Sequence, residues 1–229
     1  MKKWVASFID HTLLKPTCTS ADIERLCLEA MEYRFAAVCV PLFSTGQAHR
    51  ILQSDPAGGV GLATVIGFPM GYTTLQSKQT EVREAIAMGA GELDVVINLI
   101  ALKDGNWNYL REEIETLTRQ IHKEKKIIKV IVESGVLTET ELKRCCETFG
   151  PIGIDYMKTS TGYAEKGASL GDVQKMRAWL PDSVKIKASG GIRHYDFAWQ
   201  LIEAGADRIG CSASLQIVQE EKKEIMEKS

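Results

Sequence analysis

No apolar run in this sequence approaches the twenty or so residues that a helix needs to cross a bilayer. The start, Met1-Lys2-Lys3-Trp4, is basic, but no apolar stretch of signal-peptide length follows it. None of the six cysteines (Cys18, Cys27, Cys39, Cys145, Cys146 and Cys211) forms a CxxC pair, and most lie in apolar contexts. Reduced thiols in a cytoplasmic protein are therefore expected. Histidine is scarce: His11, His49, His122 and His194 have no close ligand spacing, so no metal and no cofactor is expected. No GxGxxG follows an early strand, which removes the ground for a dinucleotide-binding open sheet, the runner-up architecture. Charge of one sign is also missing. Lys and Arg number 28 against 30 Asp and Glu, for a net charge of −2. Neither a nucleic-acid surface nor a membrane partner is expected.

What is present is ordinary globular composition. The chain has 229 residues, 45% hydrophobic and 25% charged, enough for one large core. Compact apolar runs at 36–40, 60–68, 93–98, 127–133, 154–158, 184–189 and 208–211 read as strands, and 8–12 supplies a weaker one. Helices alternate with them. Thr19 with Asp22, and Thr138 with Glu141, are capping boxes, and Ser169 with Asp172 opens another helix. Ile23, Leu26, Cys27, Ala30 and Met31 keep helical spacing after the first box. Helices also fit 44–52, 75–88, 107–122, 194–203 and the charged tail. Strands alternating with helices predict βαβ units and a parallel sheet. The fold expected is α/β, a (β/α)8 TIM barrel, as a single domain over residues 1–229.

Strand parity then selects candidate residues. In a barrel, strand side chains alternate between the interior and the helix layer. Leu93, Val95 and Ile97 suit the helix layer, so Glu92, Asp94, Val96 and Asn98 face inward. Ile186 and Ala188 likewise leave Lys185, Lys187 and Ser189 inside. Lys158 shares a side with Ile154 and Tyr156, where parity decides less. Asp94, Lys158 and Lys187 then gather near the C-terminal mouth, where barrel enzymes keep their active sites. The competing reading makes all three solvated rim residues.

Two inward lysines and an inward aspartate suit amine chemistry. A lysine nucleophile must be neutral, yet its free pKa is ~10.4. Bringing it to about 7 takes roughly 4–5 kcal/mol of selective destabilisation of the charged form. A second ammonium about 5 Å away supplies roughly 3 kcal/mol of this at an effective dielectric of 20, and desolvation can supply the rest. Spacing leaves open which lysine attacks. Lys158, following a strongly apolar strand, has the better context.

An anion site is indicated separately. Ser189-Gly190-Gly191-Ile192-Arg193 and Gly210-Cys211-Ser212-Ala213-Ser214 each end a strand just before a helix. Glycines there let backbone N–H groups approach a phosphate, and Ser212 can donate. Gly162 could close the same pocket. Read as turns only, these glycines need no ligand. Asp10 and Thr12 end the weak first strand and are possible lining residues, as is Cys39, for which a buried core thiol is the plainer reading. Glu133 could be a second acid or a lysine's partner, and His11 a packing residue or a catalyst.

Seven stretches together resemble one family. They are Ile9-Asp10-His11-Thr12-Leu13-Leu14-Lys15-Pro16, Thr64-Val65-Ile66-Gly67-Phe68-Pro69, Asp94-Val95-Val96-Ile97-Asn98, Lys129-Val130-Ile131-Val132-Glu133, Lys158-Thr159-Ser160-Thr161-Gly162, Lys187-Ala188-Ser189-Gly190-Gly191-Ile192-Arg193 and Arg208-Ile209-Gly210. In this order, over nearly the whole chain, they resemble the deoxyribose-phosphate aldolases, class I aldolases of the (β/α)8 class. The resemblance implies reversible cleavage of 2-deoxy-D-ribose 5-phosphate to acetaldehyde and D-glyceraldehyde 3-phosphate without a metal. It puts Lys158 on the Schiff-base position, Asp94 and Lys187 on the proton-relay positions, and Gly162, Gly190, Gly191, Gly210 and Ser212 on the phosphate loops. A homodimer or homotetramer is implied in the same way.

Overall fold

The structure, a computed structural model, describes residues 4–227. Met1, Lys2 and Lys3 of the basic start, and Lys228 at the end of the charged tail, lie outside the described residues. Eight parallel strands close into a barrel in chain order. They are β1 (Ile9–Thr12), β2 (Ala37–Val40), β3 (Gly61–Ile66), β4 (Glu92–Val96), β5 (Ile127–Ile131), β6 (Tyr156–Lys158), β7 (Lys185–Ser189) and β8 (Arg208–Cys211). Closure is made by β1 against β8, with Asp10 opposite Gly210.

The helices surround the strands: α1 (Ser20–Tyr33), α2 (Thr45–Leu52), α3 (Leu75–Ala87), α4 (Leu99–Lys103), α5 (Trp107–Lys123), α6 (Glu139–Phe149), α7 (Leu170–Trp179), α8 (Tyr195–Glu203) and α9 (Ser214–Glu227). Their starts follow from local chemistry. Thr19 and Asp22 satisfy each other's backbone N–H groups at the start of α1, as Thr138 and Glu141 do for α6. The Ser169 hydroxyl accepts from the Asp172 N–H at the start of α7. α5 shows why an amphipathic sequence becomes a barrel helix. Leu110, Ile114, Leu117 and Ile121 recur at helical spacing and are wholly buried.

The strands divide their side chains as parity requires. Leu93, Val95, Ile128, Val130, Met157, Ile186, Ala188 and Ile209 join the large apolar cluster under the helices. Cys39, Ala63 and Val65 form a small separate cluster. The inward side chains are thus small and apolar on β2 and β3, while β5 to β8 each bring in one long cation: Lys129, Lys158, Lys187 and Arg208. One expectation changes. Asn98 does not extend β4 inward. Its side-chain oxygen accepts the Ala101 N–H and starts the short helix α4, which gives that polar group a partner. Among the described residues no helix is long and apolar enough to cross a membrane, and all six cysteines are free.

Candidate active site

Asp94 stands at the centre of the barrel, wholly buried on β4. Its Oδ2 accepts from the Lys158 Nζ at 2.7 Å and from the Lys187 Nζ at 2.8 Å, and its Oδ1 accepts from the Lys129 Nζ at 2.9 Å. The three lysines follow from adjacent strands in register: Lys129 pairs with Asp94 across β4 and β5, and Lys187 with Lys158 across β6 and β7. The predicted trio therefore meets, and it meets inside the barrel rather than at a solvated rim. Lys158 is 2% exposed, Lys187 and Asp94 not at all.

The three lysines differ in how well their charges are matched. Burial opposes the charge on Lys187, but Asp10 and Asp94 overcome it and hold this amine well above the ordinary lysine value. Lys187 donates to Asp10 Oδ2 at 2.5 Å as well as to Asp94. Lys129 is similar: burial works against it, while Asp94 and Glu92 raise it. Its nitrogen lies 2.5 Å from Glu92 Oε2. Among the described residues, Lys158 has as its ion-pair partner only the oxygen of Asp94 that it shares with Lys187. Burial is the main force on it, Lys187 adds to that force, and together they outweigh Asp94, so its amine falls below the ordinary value. Burial would raise the Asp94 carboxyl, but Lys129, Lys158 and Lys187 hold it well below the usual carboxylate range. One lysine is thus poised to lose its proton beside two that keep theirs.

Above Lys158 opens a cavity of about 410 Å³. Thr12, Gly162, Gly190, Gly191, Gly210 and Ser212 all border it, together with Lys158 itself. The exposed cations Lys15 and Arg193 stand on its rim. Gly190 has φ +88° and its Cβ would meet the Cα of Gly167 at 3.1 Å, so only glycine fits the turn. Gly210 is needed for another reason: a Cβ there would lie 2.9 Å from Cε of Lys187. It makes room for the lysine stem as well as bordering the cavity. Asp10 and Cys39 are wholly buried and do not border the cavity. Burial, and then Asp94, raise the Cys39 thiol, which suits a packing role.

The loop after β6 is held from two sides. The backbone N–H and hydroxyl of Thr161 both donate to the Glu133 carboxylate. The Tyr163 hydroxyl donates to the Leu14 carbonyl at 2.6 Å, and its ring meets Phe68 edge-on. Glu133 is therefore a loop anchor, forming no ion pair with a lysine among the described residues. Burial raises its carboxyl against the pull of Thr161 and Lys158. His11 is a packing residue. It bonds Ser214 at 2.9 Å through Nδ1 and Glu29 at 2.8 Å through Nε2, tying β1 to α9 and α1.

Sequence reading overlooked Lys129 and Arg208. Arg208 donates to Asp10 and, at 2.9 Å, to Glu92. The signal for Lys129 was available: a lone charge inside the apolar run 127–132 is costly unless it is paired.

Comparison with known proteins shows the family and the fold. A deoxyribose-phosphate aldolase of Desulfitobacterium hafniense is 46% identical over 214 residues, spanning 93% of this chain and 97% of the relative. The solved structure named QR15, an aldolase, superimposes with a TM-score of 0.91 at 37% identity, covering 98% of this chain and 99% of that one. A deoxyribose phosphate aldolase from Aeropyrum pernix, described as tetrameric, superimposes with a TM-score of 0.88 at 32% identity, covering 95% of this chain and 91% of that one. The family model for DeoC/LacD family aldolases matches residues 4–220. By sequence over nearly its whole length and by fold, the chain belongs to the DeoC/LacD family of aldolases.

Proposed function

We propose that the chain cleaves 2-deoxy-D-ribose 5-phosphate reversibly to acetaldehyde and D-glyceraldehyde 3-phosphate, through a Schiff base on Lys158. The observation that carries this is the single under-compensated amine at the floor of a cavity with glycine loops and cations at its rim. The names of the similar aldolases support the substrate.

In the cleavage direction the neutral Lys158 amine adds to the open-chain aldehyde carbon and water leaves, giving a protonated imine. Removal of the proton from the 3-hydroxyl lets the bond between carbons 2 and 3 break. Its electron pair moves into the imine, leaving an enamine, and glyceraldehyde 3-phosphate departs. The enamine carbon takes a proton, and water releases acetaldehyde and the amine. Asp94, held ionised against Lys158 and Lys187, is the group placed to pass protons to and from the reacting atoms, with Lys187 as its charged partner. Gly162, Gly190, Gly191, Gly210 and Ser212 bind the phosphate with backbone N–H groups and a hydroxyl, which sets how far along the chain of carbons the amine reaches. No cofactor enters this scheme.

Borohydride added with acetaldehyde tests it. The expected result is an ethyl group on Lys158, found by peptide mapping, and loss of activity. Label on Lys187 instead would reverse the roles, and turnover without any trapped lysine would remove the Schiff base altogether. Release of acetaldehyde from deoxyribose 5-phosphate separates this reading from an aldolase of longer sugar phosphates or a non-catalytic sugar-phosphate binder.

A further inference from the structure

The ion pairs below Lys158 form a closed ring. Arg208 contacts Asp10, Asp10 contacts Lys187, and Lys187 contacts Asp94. Asp94 contacts Lys129, Lys129 contacts Glu92, and Glu92 returns to Arg208. Cations and carboxylates alternate around it, three of each, so the ring is neutral by itself. Lys158 is a further cation that touches the ring only at Asp94. A proton on Lys158 is therefore an excess charge at a buried position, whereas a proton on Lys129 or Lys187 is matched on both sides.

We propose that Arg208 and Glu92, at the far end of the ring from the cavity, are positioning residues that set the charge state of Lys158. The proposal rests on the Schiff-base reading above. Neither residue borders the cavity, so neither touches substrate. Both act through the lysines: Arg208 contacts Asp10, which holds Lys187, and Glu92, which holds Lys129, while Lys129 also lies 3.8 Å from Asp10, and both lysines end on Asp94. The other ionisable groups near Lys158 are Cys39 from β2 and Glu133 from the segment after β5; Tyr156, on its own strand, has its ring 6.0 Å from the Lys129 amine. Strand β3 has no ionisable side chain.

The ring predicts shifts of opposite sign. Arg208→Gln leaves the ring with one excess negative charge, so Lys158 holds its proton to higher pH. Glu92→Gln leaves one excess positive charge, so Lys158 loses it at lower pH. One charge at this range moves the acid limb of kcat/KM by about one pH unit. Arg208→Lys keeps the charge and leaves the limb near its wild-type position. The pH dependence of kcat/KM for cleavage, and of borohydride trapping by acetaldehyde at Lys158, reads all three variants. A purely structural role would lower activity at every pH with the limb fixed, and that result overturns the proposal. Should Arg208→Gln fail to fold, Glu92→Gln alone decides by a downward shift or none. Absence of trapping at Lys158 in the wild type would instead remove the Schiff-base reading. Trapping there with unshifted limbs removes only the ring's role.

Discussion

Asp94 divides two oxygens among three ammonium groups, which hold its carboxyl well below the usual carboxylate range. Asp94→Asn keeps the shape but cannot take a proton, and its amide nitrogen adds a donor where three donors already converge. Turnover should fall by about 10²-fold or more. Binding of the phosphate product should hold, measured as inhibition of the residual activity by glyceraldehyde 3-phosphate. Gly210→Ala is expected to act from the other side. Its new methyl meets the Lys187 stem at 2.9 Å and displaces that nitrogen, lowering kcat while the thermal unfolding curve stays cooperative. At this scale the sequence was readable where strand parity turns a charge inward, as at Asp94 and Lys187, or where a charge ends an apolar strand, as at Lys158. It was unreadable for Arg208. A charge beginning a strand looks the same whether it meets solvent or reaches inward to two carboxylates.

Between elements, the buried pair Lys78 and Glu113 joins α3 to α5 and reaches the end of β4. The Lys78 Nζ donates to the Val96 carbonyl at 2.7 Å and to Glu113 at 2.9 Å, and Glu113 also accepts the Asn98 N–H. Lys78→Met strands a buried carboxylate and should cost about 3–5 kcal/mol in denaturant unfolding. Lys78→Met with Glu113→Leu should recover most of that loss. Thr138→Ala, which removes a cap on α6, should cost about 1 kcal/mol. The caps at Thr19 and Thr138 could be read directly, because the motif is local and its partner three residues away. Lys78 could not. It lies among Gln76, Ser77, Gln79 and Thr80, where nothing local distinguishes a buried amine from a solvated one. α4 was missed for a related reason, being too short to show a periodic pattern.

For the whole molecule, the ring adds a pH-dependent share of stability. Burial opposes the charge on Asp10 and Asp94, but the surrounding cations depress both carboxyls, so their contribution is complete above the ordinary value of 3.8 and fades only as pH falls through the lower folded values. Lys129 and Lys187 are raised, so their contribution is complete below 10.5 and is lost above it. Lys158 runs the other way: its unfavourable burial persists below its depressed folded value and is relieved as pH rises toward 10.5. Thermal unfolding across this range should therefore show the ring's share level between about pH 4 and pH 10, with loss at both extremes. The barrel itself was legible because each strand is a short apolar run between helix signals. The ring was not, because it depends on β1 and β8 being neighbours.

That closure also fixes the order in which the site is completed. Arg208 and Asp10 are 198 positions apart, and β8 is the last of the described strands in chain order. Until it docks against β1, the ring around Asp94 lacks Arg208 and stays open, so the charge arrangement proposed to set Lys158 is the last part of the site to be completed.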